Sequence, residues 1–415
     1  MKSLKYNLYL KIFAIVVIGL LLMIPAMMVM GLVNERKNTQ MAAINEVSSI
    51  WGNQQTLNGP YLSIPYNKYL KETDKKTNAE KLIKVTEYLH ILPSELKING
   101  VLQPEKRNRS IYEIVVYNTD LTFSGKFPKI DPKEFDIPIA DIDFSKAVLE
   151  MGITDLRGIE KQIELVFNSN KIPFNPGIIS SDIINSGINS EINFQPINDS
   201  ESNFTFNLDL RGSQILNFTP VGKTTDVTMK STWSNPSFSG AFLPDKREIS
   251  NSGFTANWNI LHLNRNYPQS WSGSKYSTTE SVFGIALLLP VDNYQKATRA
   301  VKYAILFIGF TFLVFFFIEV LNKVFIHPVQ YILVGTALVI FFVLLLSISE
   351  YLNFNFAYIL SAFATLALIA LYIKAILKNN SLTSLISSIL FILYSFIFII
   401  IQLQDYALLI GSIGI

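Results

Sequence analysis

From about 303 to 415 this chain is almost continuously apolar, and that stretch constrains the fold more than any other feature. Runs at roughly 303–321, 329–348, 354–373 and 385–401 each approach the ~20 residues that an α-helix needs to cross a bilayer core. In that solvent the backbone must satisfy its own hydrogen bonds, so the runs are expected to be membrane-spanning helices. A further run starts near Tyr406 and reaches Ile415 after about half a span, which is expected to be a sixth crossing cut short. The C-terminal bundle would then hold about five helices.

Residues 12–33 form another such run, interrupted by Gly19, Pro25 and Gly31, after a basic start of Lys2, Lys5 and Lys11. It is longer than the apolar part of a secretory signal and no A-x-A site follows, so an uncleaved anchor is expected. Lys and Arg beside short loops resist translocation, which places Lys2, Lys5 and Lys11 in the cytoplasm and 34–300 on the far side. Lys323 with His327, and Lys374 with Lys378, then fall inside, while 349–353 and 402–405 carry no Lys or Arg and fall outside. Arg299 and Lys302, at the outer mouth of the second helix, oppose this assignment, but count for less beside a long translocated domain.

The region between the first two helices has a different composition, rich in Asn, Ser, Lys and Asp, although the whole chain is 49% hydrophobic and 16% charged. Its pattern has period two. Phe204, Phe206, Leu208 and Leu210 alternate with polar residues, as do Phe254, Ala256, Trp258 and Ile260, which reads as half-buried strands. Similar runs at 85–92, 111–117, 163–167 and 227–233 are separated by polar clusters such as Asn118-Thr119-Asp120 and Asn168-Ser169-Asn170. The expected architecture is membrane α + β: an anchor over 1–33, a β-rich sandwich-like domain over 34–300, and the bundle over 301–415.

Chemistry is sparse. A net charge of +3 without a basic run argues against nucleic acid, and no cysteine is present for disulfides, thiolate metal sites or nucleophilic catalysis. The three histidines, His90, His262 and His327, lack metal-ligand spacing, and no G-x-S-x-G occurs beside them. His90 is expected on a sheet surface. Asp136, Asp141 and Asp143 could offer oxygen ligands to Ca²⁺, but they lack the spacing of a calcium loop and read better as a solvated loop. Trp233 and Trp258 fit core packing better than an aromatic binding platform. Glu319 and Lys323 stand four apart and would share a helix face, where they could pair; Glu350 is the other informative ionisable residue. No cofactor is expected.

One set of segments forms a pattern: Gly59-Pro60, Ile64-Pro65, Asp155-Leu156-Arg157-Gly158-Ile159, Trp233-Ser234-Asn235-Pro236-Ser237-Phe238, Phe242-Leu243-Pro244 and Lys246-Arg247-Glu248. In the membrane part it continues through Arg299, Lys302-Tyr303-Ala304, Glu319, His327-Pro328, Gln330-Tyr331-Ile332-Leu333-Val334-Gly335 and Ser349-Glu350. In these segments the chain resembles the CreD family of bacterial inner-membrane proteins, also called cell envelope integrity proteins. The resemblance implies an anchor, a periplasmic domain and a membrane bundle in a protein linked to envelope homeostasis, with expression in related systems under a two-component regulator and no established reaction. Family members continue through a sixth helix into a basic tail.

Three functional readings follow. The first is a non-enzymatic protein of the bacterial inner membrane that supports envelope integrity or the envelope stress response, contacting the lipid bilayer and envelope proteins or cell-wall components. The second is a lipid or small-molecule transporter or flippase-like protein, which would want ionisable groups near mid-membrane. A periplasmic hydrolase ranks last. Candidate coupling or binding residues are Arg299, Lys302, Glu319, His327 and Glu350 in the membrane part, with Trp233, Asp155 and Arg157 in the β domain.

Overall fold

The computed structural model describes residues 2–73, 80–129, 135, 137–192, 194, 201–287, 289, 293–322 and 325–402. The chain divides into two compact units, Met1–Ala42 with Val291–Ile415, and Ala43–Pro290.

The first unit is helical. It contains most of α1 (Lys2–Trp51), then α2 (Asn293–Lys302), α3 (Ala304–Asn322), α4 (Pro328–Ser349), α5 (Phe354–Leu377) and α6 (Asn380–Gln402). Among the described residues, five of these, α1 and α3 to α6, are long and apolar enough to cross a membrane. They are the anchor and the four runs read from the sequence; the run from Tyr406 lies outside the described residues. The helix α2 is separate from the span that follows it. Its buried residues Tyr294, Ala297, Ala300 and Val301 recur at helical spacing on one face, and the Tyr303 amide bonds back to the carbonyls of Arg299 and Ala300, both at 3.1 Å. The sequence boundary expected at 33/34 falls inside α1, because the helix continues through polar residues well beyond its apolar run.

The second unit holds two sheets. One is 9-stranded, in the order β13 (Pro236–Gly240), β17 (Phe283–Leu287), β11 (Ile215–Thr219), β1 (Gln55–Thr73), β5 (Val148–Ile153), β9 (Gly187–Glu191) and β8 (Asn175–Pro176), with β2 (Glu80–Ile91) on β1 and β16 (Ser270–Ser272) on β2. The other is 8-stranded, in the order β14 (Lys246–Ser250), β15 (Gly253–Leu261), β12 (Thr224–Ser231), β3 (Glu95–Arg109), β4 (Tyr112–Phe127), β10 (Ser202–Ser213), β6 (Glu164–Phe167) and β7 (Asn170–Pro173). Their facing residues form one core. Leu62, Ile64, Leu89 and Leu149 come from the first sheet, and Ile98, Phe123, Phe206, Leu208 and Trp258 from the second. The strands alternate as expected: Phe204, Phe206, Leu208 and Leu210 are buried, with Thr205 and Asn207 exposed between them.

Asn118-Thr119-Asp120, expected to be a turn, lies inside β4, and Thr119 is buried there with its hydroxyl donating to the Val101 carbonyl at 3.1 Å. Asn168-Ser169 is a turn. Both residues have positive φ, 45° and 73°, and Phe167 pairs with Asn170 across the two-residue connection, which is the geometry favoured by strand twist. The Trp233 to Glu248 segment crosses from one sheet to the other, with β13 on β17 and β14 on β15. Phe238 stacks edge-on against Phe254 and Trp258, so this segment staples the sandwich edge.

Candidate functional site

In the helical unit, the charged side chains gather toward two levels of α1. Lys11 pairs with Glu319 of α3 and donates to the Ile326 carbonyl at 2.8 Å, and its ammonium lies 4.4 Å from the Phe325 ring centre. The Tyr331 hydroxyl of α4 donates to the other Glu319 oxygen at 3.1 Å. Farther along α1, Arg36 lies 3.5 Å from Glu350 at the end of α4, and Tyr294 of α2 donates to Glu350 at 3.2 Å. Beside it the Asn293 amide donates to the Ser349 carbonyl at 2.7 Å. Lys11 and Arg36 are separated by about 37 Å of helix at 1.5 Å per residue, slightly more than a hydrocarbon core of about 30 Å. The two ion pairs therefore bracket a span.

The pairing expected within α3 cannot be followed, because Lys323 lies outside the described residues; the described partner of Glu319 comes from α1. His327 caps α4: its ring accepts from the Val329 amide at 3.3 Å, and its backbone amide donates to the Gln330 side-chain oxygen at 3.0 Å, with Pro328 in the first turn. Arg299 is half-buried in α2, with one terminal nitrogen lacking a partner among the described residues, and Lys302 is exposed.

Asp155 and Arg157 serve the last turns of α1. Those turns leave carbonyls without helical partners. Arg157 donates to the Ser49 carbonyl at 2.7 Å while gripping Asp155 with two nitrogens, at 2.9 and 2.8 Å. Asp155 also accepts from the Asn53 amide at 3.0 Å, and the Gln55 side chain bonds both backbone groups of Asp155, at 2.9 and 3.1 Å. The Arg157 guanidinium holds the Asp155 carboxyl down at about 2, against the opposing effect of burial. Around the same helix end, Arg107 and Arg211 lie over the Trp51 ring at 3.8 and 4.5 Å, and Arg109 pairs with Glu46 at 2.7 Å. Ile44 and Val47 pack on Ile114 and Val116, which explains why both faces of that stretch of β4 are covered. Trp233, also a candidate, is half-buried at the core edge and donates to the Asn235 carbonyl at 3.1 Å, closing its own turn.

A third cluster went unread in the sequence. Ser63, His90 and Trp271 pair across β1, β2 and β16, and Glu150 of β5 sits opposite Tyr61. Their neighbours Leu62, Leu89 and Leu149 point into the core, so this row occupies the other face of the sheet. Such a face is commonly solvated, yet Ser63, His90 and Glu150 are each 0% exposed. The expectation that His90 lies on a sheet surface is therefore corrected: it is enclosed, because the 177–186 segment covers it. Its Nε2 lies 3.0 Å from Asp182 of that segment and its Nδ1 lies 3.1 Å from the Ser63 hydroxyl, which also bonds Glu150. Glu150 accepts from the amides of Ile179 and Ser180, at 2.7 and 3.4 Å. Burial pushes the His90 imidazole below its ordinary value, with Asp182 pulling the other way. Gly59 makes the approach of β1 to β5 possible: its φ is +134°, and a Cβ there would meet the Glu150 carbonyl at 3.0 Å. The signal in the sequence was Glu150 itself, a carboxyl inside the otherwise apolar Val148–Ile153.

The profile of the family described as "Inner membrane protein CreD" matches residues 7–415. A curated relative, Inner membrane protein CreD of Escherichia coli (strain K12), is 31% identical over 399 residues, covering 95% of this chain and 87% of its own. A solved structure, the M1 zinc metallopeptidase from Deinococcus radiodurans, aligns with 48% of this chain and 41% of its own at 8% identity and a TM-score of 0.20, too slight a likeness to bear on fold or function.

Proposed function

This chain belongs to the CreD family of inner membrane proteins, and from that premise we propose that it is a non-enzymatic protein supporting envelope integrity, with its N-terminus cytoplasmic and its β unit periplasmic. The observation that carries this reading is the treatment of α1. Charged side chains hold it at Lys11 and Arg36 within the helical unit, and arginines hold its last turns within the β unit. An element secured in both units is suited to connecting events on one side of the membrane with the bundle, and it needs no catalytic constellation. The basic residues in the first turns of α1 and at the end of α5 support the orientation. Envelope proteins or cell-wall components would be the partners of the β unit.

Complementation tests the reading. A deletion strain is scored for sensitivity to detergent and cell-wall antibiotics, then supplied with wild type or Glu319→Gln at matched membrane levels. Rescue by wild type and failure of Glu319→Gln is the expected result. Equal rescue removes the role given to α1 and leaves the bundle as an anchor, while absence of any deletion phenotype overturns the envelope reading. Reporter fusions after Lys37, Lys323 and Glu350 test the orientation.

A further inference from the structure

The helix α2 lies across the ends of three spans. Its Asn293 and Tyr294 bond Ser349 and Glu350 at the end of α4. Its Lys296 ammonium donates to Gln402 at the end of α6, at 3.0 Å, and lies 5.6 Å from the ring centre of Phe354 at the start of α5. Those helix ends mark the level where a hydrocarbon core gives way to headgroups. Tyr294, Ala297, Ala300 and Val301 turn one face of α2 inward, and Lys296, Arg299 and Lys302, each three residues from the next, line the opposite face. A helix with one apolar and one basic face, set at this depth, has the make-up of an interfacial helix.

The basic face has no counter-charge of its own. The helix contains no Asp or Glu, and among the described residues none of its three cations has a carboxylate within ion-pair distance. Lys296 is engaged by Gln402, whereas Lys302 is exposed and the half-buried Arg299 keeps a buried terminal nitrogen with no hydrogen-bond partner among the described residues. Leaving a buried guanidinium N–H unpaired costs free energy, and a phosphate oxygen is an acceptor that suits its planar fork. Arg299 and Lys302 also oppose the charge bias that orients the other loops, so their position needs a separate cause. At the level of α2 the phosphates within reach are those of phospholipids. We propose that Arg299 and Lys302 form a headgroup site for an anionic phospholipid, with Arg299 donating to the phosphate and Lys302 attracting the net negative charge. The site is the same whichever leaflet holds α2.

The test is native mass spectrometry of the full-length protein in detergent micelles. It is titrated with phosphatidylglycerol, which is anionic, and in parallel with phosphatidylcholine, which is zwitterionic and carries the same phosphate. Wild type is expected to bind phosphatidylglycerol at least about fivefold more tightly, because one Lys or Arg near a membrane surface attracts an anionic headgroup by about that factor. Arg299→Gln and Lys302→Gln should each weaken phosphatidylglycerol binding about fivefold. Lys302, being exposed, supplies the variant if Arg299→Gln fails to accumulate. Lys374→Gln, near the end of α5 away from Phe354, should keep the wild-type affinity. Equal binding of the two lipids by wild type, unchanged phosphatidylglycerol affinity in Lys302→Gln, or an equal loss in Lys374→Gln would each overturn the site.

Discussion

Glu319 and Lys11, 308 positions apart in the chain, form the ion pair that ties α1 to α3. Their side chains are 10% and 14% exposed, and Tyr331 and the Ile326 carbonyl take further hydrogen-bonding positions around them. A pair this enclosed behaves differently from one in water: removing a single partner strands a charge, whereas removing both strands none.

Lys11→Met alone is therefore expected to destabilise the helical unit by about 3 kcal/mol, and Lys11→Met with Glu319→Leu to recover most of that loss. Unfolding of wild type, Lys11→Met, Glu319→Leu and the double variant in one detergent gives the double-mutant cycle. A double-variant effect equal to the sum of the two single effects would mean that the charges do not interact.

The second clamp is weaker by the same reasoning. Arg36 is 52% exposed while Glu350 is 10% exposed, so solvent screens the attraction. Arg36→Gln should change stability by no more than about 1 kcal/mol. A loss as large as that of Lys11→Met would show that Arg36 acts through contacts other than Glu350.

Asp155 sets an acid limit on the β unit. Its folded value of about 2 lies below the unfolded value of about 3.9, so its contribution is present above about pH 4 and is lost as pH falls toward about 2. With Asp155 itself only 8% exposed but Arg157 58% exposed, the contribution is on the order of 1–2 kcal/mol. Urea unfolding between pH 5 and 2 should show this loss in wild type and a shallower one in Asp155→Asn.

Trp51 lies between two guanidinium groups and the β4 backbone, to which its indole donates at 3.3 Å. Trp51→Ala should cost about 2–3 kcal/mol and free the last turns of α1. Limited proteolysis around 44–56 reports that release directly, with unchanged cleavage counting against the clamp.

The hairpin at Asn168-Ser169 tests a purely local term. Ser169 sits at φ 73°, where glycine is unstrained, so Ser169→Gly should stabilise the β unit by about 0.5 kcal/mol. A destabilisation in thermal unfolding would mean that lost side-chain contacts outweigh the relief of backbone strain.

The sequence by itself determined the spans and many of the strands, because both are short-range properties: a run of apolar residues has the length of a bilayer core, and period-two alternation matches the strand pleat. It also located Asp155, Arg157, Glu319 and Glu350 without their partners. Tertiary structure decided that Glu319 faces Lys11, that Arg157 caps the Ser49 end of α1, and that His90 is enclosed. Period two says which residues share a strand face, but whether that face meets water depends on what crosses above it. For His90 the answer came from Asp182, 92 positions away, in a segment whose local pattern contains no sign of the sheet it covers.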